Sequence, residues 1–200
     1  MDSTATTIAH IKQRLRANMN GPISHSLREK GLNYKVIFGV EWNRLCEMAA
    51  EWEKDTRLAQ NLWKEDIREC RLLAGLVQPI EEFDDTMAEM WIESMRFPEE
   101  AQYTTLTLLQ HMPQARQLAF KWMADEKPMF QLCGLLTITR MFMKDEHLDT
   151  ADANEFLDQA ECALHSNYAY IKYAAQNALL KYAQLGSEEE RRVDTILNIS

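Results

Sequence analysis

Few residues in this chain have the type and spacing that chemistry needs. The carboxylates Glu99 and Glu100 follow Pro98 directly, where acids serve the first turn of a helix by meeting its unpaired N–H groups and positive dipole end. Arg68 and Arg71 stand at salt-bridge spacing from Glu65 and Glu69, which reads as a solvated or inter-helix ion-pair set. Trp63, Trp91 and Trp122 form a recurring aromatic series that suits either stacking on bases or packing between repeats, and their place at the inner end of a helix favours packing. The five histidines have no partner at catalytic spacing; His111 and His165 read as helix C-terminal residues. The four cysteines, Cys46, Cys70, Cys133 and Cys162, lie singly on helical apolar stripes, as expected of buried free thiols in a reducing compartment. No phosphate-binding glycine loop, dinucleotide turn, zinc-protease helix or nucleophile elbow occurs, and no metal site or cofactor is expected.

The elements that must position these residues are helices. Leu58-Ala59-Gln60-Asn61-Leu62-Trp63, the polar break Lys64-Glu65-Asp66, and Ile67 to Val77 make an antiparallel helix pair with one apolar stripe each. Further copies are expected over 87–109, 115–142 and 156–185. A helix pair cannot bury its face alone, whereas stacked pairs can. The expected fold class is therefore all-α, an α-solenoid or superhelix of antiparallel HEAT-like helix pairs forming a single repeat domain over residues 1–200.

Boundary signals support this reading. Asn20-Gly21-Pro22 stops a first helix that begins near Thr4, with Ile8, Ile11, Leu15 and Met19 on one side. Gly31 ends a short second helix, Asn33–Val40 reads as a packed loop, and a helix follows over about 41–52. Asp55 or Thr56 caps the next helix. Met87, Met90, Trp91 and Met95 are expected to face inward, and Pro98, Pro113 and Pro128 each to open a helix. Gly186 ends the last pair, and Ser187-Glu188-Glu189-Glu190 caps a final polar helix.

At 200 residues with 46% hydrophobic content, the chain can bury a continuous core. The net charge of -9 argues against generic affinity for phosphate backbones, although the first 72 residues hold many of the cations. No apolar run approaches the roughly 20 residues that span a bilayer, and no charged-then-apolar leader opens the chain, so no membrane partner and a cytoplasmic location are expected.

Gly39-Val40 followed by Leu45 and Ala49, then Leu58-Ala59, Leu62-Trp63, Arg68-Glu69 and Leu72-Leu73-Ala74, then Met87 and Trp91, resembles the AlkD-like DNA alkylation repair family of HEAT-like repeat alkylpurine DNA glycosylases. The resemblance spans about 21–186. It implies a curved superhelix whose concave face holds duplex DNA with alkylated bases, and N-glycosidic cleavage of cationic purines aided by a carboxylate and aromatic faces. The family's Trp and Asp positions fall on Phe97 or Pro98 and on Ala101, or on Glu100 if the register slips by one. Its arginine falls near Leu132 and its last tryptophan near Asn177. On this resemblance Glu100 is the catalytic candidate. Tyr34, Lys35, Arg44 and Lys172 are the nucleic-acid-binding candidates. The alternative is a non-catalytic helical-repeat scaffold that binds a protein or peptide.

Overall fold

The computed structural model describes residues 4–197, and these form twelve α-helices, two short 3-10 turns and no strand; the single β-bridge joins Val36 to Ile67. Packing divides the chain into two compact units, Met1–Asp84 and Asp85–Ser200.

The first unit holds α1 (Thr4–Ala17), α2 (Gly21–Glu29), α3 (Trp42–Ala49), α4 (Thr56–Trp63) and α5 (Arg68–Val77). The expected α4–α5 pair is present, with α1 against α4 and α3 against α5. Asp55 caps α4 by accepting the Leu58 N–H at 2.6 Å, and Asn20 caps α2 through the Ile23 N–H at 3.2 Å. Ile11 and Leu15 are buried as the stripe requires, but Met19 lies past the helix end and is exposed. Trp52 likewise lies beyond α3 and is half-buried.

The packed loop is real, and its cause is polar. Tyr34, Ile37, Phe38 and Val40 are buried; the Phe38 and Gly39 N–H groups find their partner on α5, and the Val36 N–H donates to the Asp66 carbonyl just before it. The Glu69 carboxylate accepts from Phe38 at 3.0 Å and Gly39 at 2.9 Å, while Arg68 donates to Glu69 and to the Val40 carbonyl. Arg71 lies 4.1 Å from the centre of the Trp63 ring and donates to the Trp63 carbonyl at 3.0 Å. These arginines are not solvated: Arg68 and Arg71 are buried because each meets backbone carbonyls and a carboxylate or an aromatic face.

The second unit holds α6 (Asp85–Glu93), α7 (Pro98–Thr107), α8 (Ala115–Met123), α9 (Pro128–Phe142), α10 (Thr150–Leu164), α11 (Ala169–Ala183) and α12 (Ser187–Leu197). Helix α8 pairs with α9 and α10 with α11, while α9 packs between α7 and α11. Gly134 permits the α8–α9 contact, since a Cβ there would sit 2.6 Å from the Ala119 carbonyl oxygen and 2.6 Å from the Met123 nitrogen. Phe142, Phe156 and Tyr182 bring α9, α10 and α11 together with ring centroids 5.0–5.2 Å apart.

Trp63, Trp91 and Trp122 are all buried, so the aromatic series packs repeats. Three expectations need correction in this unit. Met90 is 66% exposed, because the inward stripe of α6 runs through Ala88, Trp91 and Ile92 instead. Pro98 and Pro128 open α7 and α9, but Pro113 sits in a turn two residues before α8. Cys162 is exposed near the end of α10, while Cys70 and Cys133 are buried.

Candidate nucleic-acid interface

Charge is distributed unevenly between the units. Residues 1–84 carry 12 Lys and Arg against 13 Asp and Glu, whereas residues 85–200 carry 10 against 18, a balance of -8. Within that acidic second unit, α9 and α11 contain no Asp or Glu across 15 residues each, yet they carry Arg140, Lys172 and Lys181. Helix α7, the third member of the layer, has its two acids in the first turn. The acids concentrate on α6, α10 and α12; α8 has none either, but its Arg116 and Lys121 are paired with acids of other elements.

Arg140 is half-buried in a 260 Å³ cleft between α7 and α9, lined also by Gln102, Tyr103, Leu106 and Leu136. Its guanidinium has no hydrogen bond or ion pair among the described residues. By contrast Lys121 pairs with Glu89 at 2.5 Å, Lys127 with Glu93 at 2.5 Å, and Arg116 lies between Glu146 and Asp152. A second cavity, of 420 Å³, opens where the end of α10 meets the start of α11, with Lys172 and Tyr173 on its wall. Tyr173 is 70% exposed. Among the described residues no carboxylate lines either space. Two other cavities in this unit are lined by acids, one by Glu126 and Asp158, the other by Asp85, Glu89, Glu93 and Asp125.

The residues marked in the sequence fall in different surroundings. Glu100 is 1% exposed, and its carboxylate accepts the Arg96 N–H at 2.7 Å and the Phe97 N–H at 3.5 Å, a cap on α7. Tyr34 is 1% exposed and belongs to the core of the first unit. Lys35 beside it is exposed. Arg44 is partly exposed and donates to Glu47 at 2.7 Å and Asn18 at 3.0 Å. Lys172 is exposed on α11. The positions aligned with the family's catalytic set divide as well: Ala101 and Leu132 are buried, and Asn177 is exposed on α11. Arg140 and Tyr173 carried no motif, but the absence of acids from 128–142 and 169–183 was readable once those helix bounds were fixed.

No match is found among curated proteins. Among solved structures the chain is similar to a protein described as one of a new family related to the HEAT-like repeat DNA glycosylases with affinity for branched DNA structures. The two superpose with a TM-score of 0.84 at 18% identity, over 94% of this chain and 80% of the other. That likeness shows the HEAT-like repeat fold. Residues 11–193 match the family described as DNA alkylation repair enzyme. This chain belongs to the DNA alkylation repair enzyme family.

Proposed function

We propose that the chain is a DNA-binding member of this family that holds the phosphate backbone of duplex DNA against the α7–α9–α11 layer of its second unit. The observation that carries the reading is charge segregation. A surface close to phosphates gains from each cation and loses from each carboxylate, and α9 and α11 keep three cations and no acid within a unit of 18 acids. The described affinity of the solved relative for branched DNA supports the same class of partner.

Binding by so few cations is weak and only modestly sensitive to salt. Arg140, Lys172 and Lys181 together give a log–log salt slope no steeper than about -3. Lys35, exposed on the first unit, is a further cation in this reading, whereas Arg44 already faces Glu47.

Excision of alkylated purines is the finer reading that the family suggests, and it needs a carboxylate beside the developing oxocarbenium sugar. Burial of Glu100 and its two backbone bonds support a capping role. Our reading is therefore binding without rapid base release.

The test is fluorescence anisotropy with a duplex carrying a methylated purine, at low and moderate salt, alongside assay of the free base. Binding at low salt that Arg140→Glu weakens about tenfold, with no base released, is the expected result. No binding at low salt removes the reading and leaves the protein-partner alternative. Base release that Glu100→Gln abolishes in a folded protein would establish excision.

A further inference from the structure

We propose that the cavity at the α10–α11 junction takes one unpaired nucleobase, stacked on Tyr173, so that DNA with an unpaired stretch binds in preference to closed duplex. The inference rests on the DNA-binding reading above and adds the strand geometry that the surface selects.

Tyr173 is the starting point. A tyrosine ring 70% exposed, with no hydrogen bond or ring partner among the described residues, leaves a flat apolar face in water. The space beside it measures 420 Å³, within the range of about 300–1,000 Å³ typical of small-ligand sites. Its wall combines the three chemistries that a nucleotide asks for. Tyr173 supplies an aromatic face, Gln176 an amide able to donate to and accept from a base edge, and Lys172 an unpaired ammonium for the phosphate. Leu164, Ala169 and Leu197 provide the apolar part, His165 completes the wall, and among the described residues no carboxylate opposes the phosphate.

A paired base inside a duplex already stacks on both neighbours and presents only its edges in the grooves. The ring of Tyr173 can therefore be used only by a base that has left the stack. Every base has such a face, so the preference is for strand geometry rather than sequence.

Three labelled DNAs test this: a closed duplex, the same duplex opened into a fork with 2-aminopurine in its unpaired arm, and the 2-aminopurine strand alone. Anisotropy gives affinity, and 2-aminopurine fluorescence reports stacking. The fork should bind about tenfold tighter than the closed duplex, the effect of one base stacked on an aromatic ring, with quenching of the fluorophore. Tyr173→Ala should reduce the fork to the affinity of the duplex and leave the closed duplex unchanged; Tyr173→Phe should keep the preference, since stacking needs the ring and not the hydroxyl. Equal binding of fork and duplex by the native chain, or a preference that survives Tyr173→Ala, overturns the proposal. If Arg140→Glu weakens the closed duplex while the native chain shows no fork preference, the cavity assignment fails and the backbone-binding reading stands. If the closed duplex does not bind but the single strand is still quenched through Tyr173, the backbone reading fails and the cavity stands. No quenching on any DNA overturns the cavity assignment outright.

Discussion

The Glu69 carboxylate accepts the Gly39 N–H at 2.9 Å, across 30 residues of chain. Its other oxygen accepts the Phe38 N–H, and Arg68 closes the set by donating to Glu69 and to the Val40 carbonyl. Gly39-Val40 and Arg68-Glu69 are thus two halves of one buried polar contact that fastens an irregular loop to α5. Gly39 has φ +76, and a Cβ there would lie 2.3 Å from the Asn20 carbonyl oxygen, so glycine is required by both conformation and space.

Removing the carboxylate should therefore cost far more than a surface charge does. Glu69→Ala leaves Arg68 and two backbone N–H groups buried without their acceptor, and is expected to lower unfolding free energy by about 3–5 kcal/mol. Glu69→Gln keeps one carbonyl acceptor and should cost about 1–3 kcal/mol. Urea denaturation monitored by far-UV circular dichroism measures both, and a loss below about 1 kcal/mol for the alanine variant would refute this account of the loop.

At the α8–α9 contact, Gly134→Ala should destabilise by about 1–3 kcal/mol through overpacking, because the two nearest atoms that meet the new methyl are backbone atoms of α8. A neutral or stabilising outcome in the same denaturation experiment would mean that α8 moves freely on α9. Gly21 offers a control, since nothing lies within 4 Å of a Cβ there.

The thiols give a pH prediction with a definite sign. Burial lifts the Cys70 thiol from 9.0 to about 12 and raises Cys133 as well. The folded chain therefore holds these groups as neutral thiols where the unfolded chain ionises them. The stability this confers is intact below pH 9 and is lost as pH rises toward 12. Labelling of the native protein by a thiol reagent near pH 8 should modify exposed Cys162 first and leave Cys70 and Cys133 unmodified until denaturant is added. Rapid reaction at Cys70 in native protein would contradict its burial.

The helix pairs were legible in the sequence because caps, prolines and tryptophans mark boundaries locally. Asp55 and Pro128 do in the structure what their types promise. Departures occur where tertiary contact decides between two acceptable local choices. Met90 and Trp91 are adjacent apolar residues on α6, and only packing determines that the tryptophan turns inward. Arg68 and Arg71 have surface-like spacing, yet the carbonyls of Val40 and Trp63 that admit them to the core lie 28 and 8 residues away in sequence. The position of Glu100 after Pro98 suits both a cap and a catalytic carboxylate, and the two backbone N–H groups it accepts from are those of a cap. Arg140 and Tyr173 have no motif; α8 is as free of acids as α9 and α11, but its Arg116 and Lys121 meet carboxylates of neighbouring elements, and that difference arises only when helices are placed side by side.

Salt dependence of DNA binding should separate the free cations from the paired ones. Arg140→Gln and Lys172→Gln should each weaken duplex binding and each reduce the magnitude of the log–log salt slope by about one, since each removes a side chain available to displace a counterion. Lys121→Gln and Lys127→Gln should leave the salt slope unchanged, because those ammonium groups already face Glu89 and Glu93 and displace no counterion from DNA. The comparison is internal to one unit and one charge type, so overall net charge cannot account for a difference between the two sets. Equal effects from all four substitutions would show that DNA responds to total charge alone, and the α7–α9–α11 layer would lose its claim to be the contact surface.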